Sequence, residues 1–229
     1  MGQKGGPNIP IDNLKFLMDT KNATSVKGGT VRDYLSQSAA TLTSTSLSGT
    51  GSTLGLLLSL ASSIIAFANM DRLSFSTLTI SSWIFPLSYG IGNSSGRILD
   101  KGTWAYPHYG YMFFINNLTA TQAIHYQAGN ILTVTGGYIN NSVELNKWQH
   151  FAVTHSGTTA TFYKNGVSIG SSTNILGATN IASMSANIGN SLLSDRAFDG
   201  KIASVRVYDK ALSAVEISQL YNSTKGRYL

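Results

Sequence analysis

Cysteine is absent from this chain of 229 residues. The protein therefore has neither a disulfide framework nor a thiolate metal site. Charged residues are also scarce, because they make up 11% of the sequence against about 25% in an average globular chain. A helical bundle or a coiled coil needs far more Glu, Lys and Arg on its surface, so the composition excludes both classes.

Long apolar runs are missing as well. The longest, residues 54–68, is shorter than the roughly 20 residues needed to cross a bilayer, and it contains one glycine and three serines. We therefore expect no membrane span. Residues 1–13 lack the apolar segment of a secretion signal, so we expect the protein to be made in the cytoplasm without a signal peptide.

Clustered positive charge is the third absence. Lys and Arg total 16 against 10 Asp and Glu, for a net charge of +6, but no two cations are adjacent. A nucleic-acid-binding surface would show a basic stripe. We expect no nucleic-acid partner and interpret the charge as that of a mildly basic soluble surface.

Ser and Thr are abundant, at 52 together, beside 23 glycines and 42% hydrophobic residues. The hydrophobic content excludes a disordered chain. From Leu14 onward, short apolar runs alternate with clusters of Ser, Gly, Asn and Thr, which is typical of a many-stranded β protein. We predict one all-β domain over residues 14–229, preceded by an extended arm of residues 1–13.

The clearest strand signals lie in the second half of the chain. Residues 159–164 and 167–170 flank Asn165-Gly166, the strongest kind of short hairpin signal. In residues 201–208 the alternation slips by one position, which predicts a β-bulge near Ala203 and Ser204. Further strand candidates are residues 64–67, 73–75, 78–84, 111–115 and 148–155.

One helix is predicted near the C-terminus. Ser213 and Glu216 have the spacing of a capping box, in which each side chain bonds the backbone N–H of the other residue. An apolar stripe follows, and we expect the helix to end near Asn222. The stripe consists of Val215, Ile217 and Leu220.

A succession of eight segments resembles a known family. In order, the segments are residues 78–86, 97–102, 109–116, 148–154, 159–166, 187–189, 198–208 and 211–221. This order resembles the concanavalin A-like lectin/glucanase superfamily in its laminin-G-like (pentraxin-like) branch. The resemblance implies a two-sheet antiparallel jelly roll, which the strand spacing also suits. The opening, residues 14–25 and 28–33, is similar to that of laminin-G-like proteins in bacteriophage particles.

The same family contains glycanases, which need two carboxylates roughly 5–10 Å apart. Of the ten acidic residues, Asp195 and Asp199 alone have a spacing that places two side chains on one face of a strand. They flank an expected loop, and the Glu-x-Asp-x-x-Glu strand of the related glucanases is absent. We expect no enzyme activity and assign no catalytic residue.

The histidine and aspartate residues do not have the spacing of a metal-binding motif. His108, His125, His150 and His155 lack His-x-x-x-His spacing, and we interpret them as surface or hydrogen-bonded residues. His150 and His155 should face opposite sides of one strand. Many relatives bind calcium, but turn formation explains isolated loop aspartates, so we expect no cofactor. The weak calcium candidates are Asp71, Asp195 and Asp199.

An aromatic loop over residues 104–109 is the candidate glycan site. Aromatic faces stack on sugar rings, and Pro107 stiffens the loop. Packing within the domain or contact between subunits is the alternative interpretation. The candidate residues are Trp104, Tyr106 and His108.

Two segments are candidates for contacts with other proteins. The leucines of residues 54–60 cannot all face one core, which predicts an exposed interface patch for a homo-oligomer or a docking partner. The alternative is a strand buried on both faces. The arm, with too few apolar groups to fold alone, is expected to lie in a groove of a neighbouring subunit or of a capsid protein. The residues are Lys4, Ile9, Ile11, Leu54, Leu56, Leu57, Leu58 and Leu60.

Laminin-G-like domains are mostly extracellular, whereas this chain shows no secretion signal. Together with the opening, the resemblance implies a bacteriophage virion structural protein, either a head decoration or a tail or fibre component. Its partners would be other virion proteins, with a host surface glycan as a further ligand. The first alternative is a glycan-binding lectin module without a structural role, and a glycanase, against which the carboxylate spacing argues, is the second.

Overall fold

The computed structural model describes residues 9–22, 24–27, 30–50, 54–92, 94–103, 106–117, 121–178 and 184–229. Two antiparallel sheets pack face to face, and one helix, α1 (Ala214–Thr224), lies near the C-terminus. The predicted all-β jelly-roll sandwich with a short C-terminal helix is confirmed. In the part of the chain that the structure describes, no helix has the length and apolar composition to cross a membrane.

The strands are short and follow one another closely. In chain order they are β1 (Leu14–Asp19), β2 (Val26–Lys27), β3 (Thr30–Val31), β4 (Thr41–Thr43), β5 (Thr45–Ser48), β6 (Gly55–Leu58), β7 (Ile64–Phe67), β8 (Leu78–Pro86), β9 (Ile91–Gly92), β10 (Ser95–Thr103), β11 (Tyr109–Asn116), β12 (Ala123–Asn130), β13 (Thr133–Ile139), β14 (Gln149–Ser156), β15 (Thr159–Lys164), β16 (Val167–Ser172), β17 (Ala186–Ile188), β18 (Arg196–Ala197) and β19 (Gly200–Tyr208).

The eight-stranded sheet is organised around β19. Its strand order is β16–β15–β14–β8–β19–β6–β5, and β1 also pairs with β19. One side of β19 pairs with β8, while β6 and β1 share the other side, at residues 200–202 and 204–208. The register shifts between Ile202 and Ser204, which confirms the predicted bulge.

The seven-stranded sheet has the order β13–β12–β11–β10–β17–β7–β4. The inward faces of the two sheets enclose one apolar core, because alternate residues of each strand point to the same side. Aromatic side chains fill much of this core: Phe16, Phe67, Tyr111, Phe113, Tyr126, Phe151, Phe162 and Phe198.

The hairpin signal was accurate and one strand candidate was wrong. Asn165 and Gly166 join β15 to β16 with φ of 50° and 80°, the positive values that a two-residue hairpin turn needs. Residues 73–75, in contrast, form no strand, because Asp71–Leu73 is a 3₁₀ turn. The carbonyl of Leu73 accepts a hydrogen bond from the hydroxyl of Tyr111 at 2.9 Å, so a sheet ladder does not use it.

The C-terminal helix carries the predicted capping box. The Ser213 hydroxyl accepts from the Glu216 N–H at 3.3 Å, and the Glu216 carboxylate accepts from the Ser213 N–H at 2.8 Å. Ile217 and Leu220 are buried, but Val215 is exposed, so the predicted stripe was wrong at that position. Thr224 is buried instead.

The helix covers the outer face of the eight-stranded sheet. Its residues Ile217 and Leu220 pack against Ala152, Tyr163 and Tyr208 of the sheet. Beside them, the end of the chain covers Trp83. The rings of Tyr221 and Tyr228 stack on the Trp83 ring, and the Thr224 hydroxyl accepts a hydrogen bond from Trp83 Nε1 at 2.9 Å.

The end of the predicted arm contacts its own domain. Ile9 packs against the cluster beneath α1, and the Pro10 carbonyl accepts a hydrogen bond from the Tyr208 hydroxyl at 3.1 Å. Ile11 is exposed, and Lys4 lies outside the described residues. Ile9 and Pro10 therefore have contacts within their own domain, and the docking of the arm on a neighbouring molecule stays a prediction.

A buried carboxylate connects the first strand with the last one and with the C-terminus. Asp19 accepts hydrogen bonds from Arg206 at 3.2 Å and from Arg227 at 2.7 and 2.9 Å. The side chains of Asp19 and Arg206 are both almost fully buried. Two cations therefore depend on one carboxylate in a region of low dielectric.

We expect Asp19→Asn to lower the free energy of unfolding by about 3–5 kcal/mol, because it leaves a buried arginine without its counter-charge. Urea denaturation at pH 7 measures this change. The matched control is Glu144→Gln, which breaks the exposed ion pairs to Lys147 and Lys164 and should cost at most about 1 kcal/mol. Equal losses in the two variants would contradict the assignment.

The buried His150 makes the free energy of unfolding decrease as the pH falls. Burial, together with the charge of Arg206, lowers the pKa of His150 to about 3, whereas an unfolded histidine has a pKa near 6.5. As the pH falls, the unfolded chain therefore binds a proton at His150 before the folded protein does. The stability that neutral His150 contributes is complete above pH 6.5 and is lost progressively as the pH falls toward 3.

The His150→Gln variant removes this titration and keeps a polar side chain beside Ser81, whose hydroxyl lies 2.7 Å from His150 Nε2. Its unfolding free energy should fall less steeply than that of the wild type between pH 6.5 and 4.5. Urea titrations at three pH values in this window compare the slopes. Parallel curves would show that His150 is not the acid-sensitive group.

Candidate functional site

The outer face of the seven-stranded sheet is the candidate site, because α1 covers the opposite side of the sandwich. Strand pairing places four side chains in one line across β10, β11, β12 and β13. Each is the direct partner of the next on the neighbouring strand. In order, this stacked row consists of Arg97, Phe114, His125 and Tyr138.

The four planar groups of the stacked row lie face to face. The ring centroids of Tyr138 and His125 are 5.0 Å apart, those of His125 and Phe114 are 4.9 Å apart, and both pairs are inclined by 22°. The guanidinium of Arg97 lies 4.2 Å from the Phe114 centroid. Tyr138 ends the row on edge strand β13 and is 53% exposed. The row thus runs from a buried cation to an open aromatic ring.

A second line of side chains runs beside the stacked row. Gln127, Met112, Asp100 and Asn187 follow one another on β12, β11, β10 and β17. The neighbours of Asn187 in β17 lie in the core, so its own side chain faces outward. Asp100 accepts a hydrogen bond from Arg97 Nε at 3.0 Å, which joins the two lines at their buried end.

Three polar atoms on this face have unused hydrogen-bonding capacity. His125 Nε2, Gln127 Oε1 and Asn187 Oδ1 are buried and have no hydrogen-bond partner among the described residues. A buried polar atom without a partner is costly, so such atoms are rare and mark places where water or a ligand hydroxyl binds. Asn187 lies deepest, since its side chain is only 2% exposed.

The charges of the site are set by burial. Burial and the nearby Arg97 lower the pKa of His125 to about 4, so this ring is neutral at pH 7. Burial raises the pKa of Asp100 to about 6, against the opposing effect of Arg97. At neutral pH the site therefore contains one internal ion pair and a set of neutral donors and acceptors.

The loop predicted as a glycan site lies at one end of the same sheet. Tyr106 is exposed and makes an edge-on contact with His108 at 6.3 Å between centroids. The backbone of His108 pairs with that of Ile131, beside the exposed Leu132. Trp104 lies outside the described residues.

The remaining histidines lie inside the protein. As predicted, His150 and His155 face opposite sides of β14: the first contacts Ser81, and the second bonds the Tyr126 hydroxyl at 3.0 Å. Both are fully buried and hydrogen-bonded, so of the two interpretations the hydrogen-bonded one is confirmed for this pair. They are buried because each side of β14 is covered, by α1 on one side and by the second sheet on the other.

The calcium candidates do not form a cluster. No group of three or more acidic or histidine side chains that could hold a metal ion occurs within the described ranges. The Asp195 carboxylate accepts from the Ser191 hydroxyl at 2.5 Å, and the carbonyl of Asp199 accepts from the Leu87 N–H at 2.8 Å. Asp71 lies in the 3₁₀ turn before β8.

The leucines of residues 54–60 form a strand and not a surface patch. Leu56 and Leu58 are core residues of β6, which lies inside the sheet between β5 and β19. Their assignment to an exposed interface was wrong, because both side chains point between the two sheets. Leu54 and Leu57 are half-buried, and Leu60 is exposed in the turn after β6.

Sequence reasoning missed the stacked row. Arg97, Phe114, His125 and Tyr138 belong to four strands, and their alignment depends on the register of three strand pairs. The alternation of β11 and β12 between core and outer positions was the available signal, since it places Phe114 and His125 outside the core. Alternation alone does not show which outward residues of different strands become neighbours.

Comparisons with known proteins agree on the fold. The family model of the concanavalin A-like lectin/glucanases superfamily matches residues 61–218. Among curated proteins, no sequence match is found. Three similar solved structures are 16–18% identical to the chain in sequence, so their likeness concerns the fold.

Three of these structures come from bacterial proteins. Domain 4 of AbnA, an extracellular arabinanase from Geobacillus stearothermophilus solved with arabinotriose, has a TM-score of 0.68 and 16% identity, covering 91% of this chain and 98% of that one. The binding domain of Paraclostridial Mosquitocidal Protein 1 has a TM-score of 0.67 and 18% identity, covering 93% of this chain and 52% of that one.

The third structure is of botulinum neurotoxin type C, whose cell entry depends on interaction with two ganglioside molecules. Its TM-score is 0.66 at 16% identity, and the match covers 93% of this chain and 51% of that one. The chain thus spans about half the length of this structure and of the binding domain of Paraclostridial Mosquitocidal Protein 1. The family model, matching residues 61–218, spans more than half of the chain. The chain belongs to the concanavalin A-like lectin/glucanase superfamily.

Proposed function

We propose that this protein is a glycan-binding, lectin-like module and that Tyr138 is the centre of its binding surface. The observation that carries the proposal is the stacked row, which ends in an open ring on an edge strand. The similar domains support it, since one was solved with arabinotriose and another belongs to a toxin that interacts with gangliosides.

The chemistry of the surface suits a sugar. A pyranose or furanose ring presents C–H groups to an aromatic face and hydroxyls at its rim. The exposed part of the Tyr138 ring supplies the first contact. Gln127 Oε1 and His125 Nε2, which are buried and have no hydrogen-bond partner among the described residues, would bind a sugar hydroxyl after a small movement of the side chains above them. Because His125 is neutral at pH 7, the open part of the surface favours an uncharged sugar.

We propose binding without hydrolysis. A glycanase needs one carboxylate free to donate a proton and a second free to act as nucleophile or base. On this face, Asp100 is fully buried and bonded to Arg97 and to the Gly102 N–H. Its oxygens already have partners, so it is poorly placed to attack or protonate a bound sugar.

A glycan array followed by calorimetry tests the site. We expect Tyr138→Ala to weaken binding about 2- to 13-fold, the equivalent of roughly 0.5–1.5 kcal/mol for one aromatic contact. The Tyr106→Ala variant examines the loop, and Tyr34→Ala, another exposed tyrosine, is the control that should bind normally. Oligosaccharide recovered from the complex should keep its length.

Two outcomes would count against this proposal. If the wild-type protein binds no glycan on the array, the proposed function is contradicted. Glycan binding that survives Tyr138→Ala and fails in Tyr106→Ala would move the site to the loop of residues 106–108. The melting temperature of each variant shows whether a loss of binding reflects unfolding.

We also propose that the module is part of a bacteriophage particle, as a head decoration or as a tail or fibre component. The observation that favours this role is the opening of the chain, which is similar to that of laminin-G-like virion proteins. In the structure this opening forms β1 and pairs with β19, so it belongs to the domain and not to a separate tail.

Mass spectrometry of purified phage particles should detect the protein at a fixed copy number. Deleting residues 2–8 tests the arm: the domain should keep its melting temperature, because the contacts of Ile9 and Pro10 with the domain are retained, while incorporation into particles should fall. Truncated protein at normal copy number would contradict the docking role of the arm. Specific glycan binding by a protein absent from particles would leave only the lectin role.

A further inference from the structure

Strand β12 carries polar atoms without partners along its outer face. Ile124, Tyr126 and Ala128 of this strand belong to the core, so His125 and Gln127 between them point outward. His125 Nε2 and Gln127 Oε1 are buried and have no hydrogen-bond partner among the described residues. Outward side chains that follow one another on a strand are about 7 Å apart. The two atoms therefore belong to neighbouring positions on one face.

His108 continues this series, although it lies in the loop before β11. Gly129, the next outward position of β12, has no side chain, and a Cβ built there would lie 3.2 Å from Cβ of His108. His108 therefore lies on the outer face at that position. Its Nδ1 is likewise buried and without a hydrogen-bond partner within the described segments. From His125 to Gly129 the series extends over about 13 Å of strand.

An exposed tyrosine stands at each end of the series. Tyr138 pairs with His125 and stacks on its ring, and the Tyr106 ring meets the His108 ring edge-on at 6.3 Å between centroids. The two tyrosines are 53% and 70% exposed, so a chain molecule that contacts either ring can continue past it. Together these residues form the β12 line: Tyr138, His125, Gln127, His108 and Tyr106.

The surface between the two tyrosines is low beside Gln127. Gly136 is the partner of Gln127 on β13, and it is exposed and has no side chain. A Cβ at Gly136 would overlap Cγ of Gln127, so a larger residue would displace the glutamine. The glycine therefore lets Gln127 lie against β13, between the raised rings of Tyr138 and Tyr106.

The strands around the β12 line contain no Asp, Glu, Lys or Arg. This holds for all of residues 102–143, which supply β11, β12 and β13. On the neighbouring strand β10, Arg97 and Asp100 form an ion pair with each other. An acidic sugar would therefore lose part of the hydration of its carboxylate and gain no counter-charge.

We propose that the ligand of the β12 line is an internal stretch of a linear, uncharged polysaccharide, with at least three consecutive sugar rings in contact. The inference rests on the glycan binding proposed above and names the class of glycan. A sugar ring is no larger than a tyrosine side chain, so one ring covers one position of the line. A chain of three is needed to reach from Tyr138 to His108.

The hydrogen-bonding groups of the line suit such a chain. Each sugar ring of an unbranched chain presents hydroxyls at a regular interval, and a hydroxyl both donates and accepts hydrogen bonds. The Gln127 oxygen is an acceptor, whereas the ring nitrogens of His125 and His108 donate or accept according to the tautomer. Recognition of a single terminal sugar would leave the far end of the line unused.

Calorimetry on the full chain tests the length of the ligand. The probes are linear oligomers of arabinose, xylose, glucose and mannose with one to six units, and sialyllactose is the acidic terminal glycan. The affinity should rise up to three or four units, to at least about tenfold above that of the single sugar, because each added ring gains a stacking contact or a hydrogen bond. It should then level off. Sialyllactose should bind more weakly than the neutral tetrasaccharide.

Two variants locate the chain on the β12 line. Tyr106→Ala should lower the ratio of tetrasaccharide to monosaccharide affinity about 2- to 13-fold, the effect of one aromatic contact. Gln127→Leu, which removes the oxygen and keeps the bulk, should lower the same ratio about 2- to 13-fold, the effect of one hydrogen bond. The matched control is Tyr34→Ala, an exposed tyrosine outside the line, in which the ratio should not change.

The outcomes separate this inference from the proposed function. An affinity that does not depend on chain length, or that is highest for sialyllactose, would overturn the linear chain and leave the lectin function in place. Equal losses of monosaccharide and tetrasaccharide affinity in Tyr106→Ala would overturn it as well, because they place a single sugar at the loop. If the wild-type protein binds none of the probes and no glycan on the array, the proposed function fails together with this inference.

Discussion

The buried carboxylate of Asp19 connects parts of the chain that are far apart in sequence. It bonds Arg206, 187 residues later, and Arg227, 208 residues later. Through these contacts β1, β19 and the segment after α1 are held at one point. Because β19 also pairs with β8 and β6, the centre of the eight-stranded sheet depends on the same group. A buried charge of this kind is tolerated only with its partners in place, which makes the arrangement specific.

This connection determines which face of the sandwich is free. With the C-terminus held beside Asp19, α1 and the rings of Tyr221 and Tyr228 cover the outer side of the eight-stranded sheet. The seven-stranded sheet has no helix over it in the part of the chain described. Its outward residues can therefore be polar and aromatic without serving the core, and the stacked row with its unpaired neighbours is the result.

The scarcity of charge has two different consequences. At the candidate glycan site it leaves neutral groups beside a single internal ion pair, Arg97 with Asp100, so recognition there depends on stacking and hydrogen bonding. At the edge formed by β4 and β5 it leaves backbone groups without the charged side chains that keep most edge strands apart. One compositional feature therefore underlies both the neutral chemistry of the candidate glycan site and the uncharged edge of the sandwich.

The sequence by itself determined the features that depend on neighbouring residues. Asn165-Gly166 requires a tight hairpin, Ser213 and Glu216 cap one another across a single turn, and the alternation of residues 201–208 includes the bulge at Ala203. These are local effects of backbone conformation and spacing, and the order of such segments was enough for the jelly-roll fold. Even so, the local pattern fails at Val215, which is exposed, and at residues 73–75, where the Leu73 carbonyl accepts a hydrogen bond from the distant Tyr111 instead of joining a sheet.

Only the tertiary structure decided which distant residues meet. Arg97 and Tyr138 lie 41 positions apart and are brought into one row by three strand registers, each of which would move every side chain to the other face if it slipped by one residue. The burial of Leu56 and Leu58 likewise followed from the position of β6 inside the sheet, since an apolar strand has the same sequence at an edge as in the middle. Sheet order is a property of the whole chain, because it depends on which strands compete for each edge.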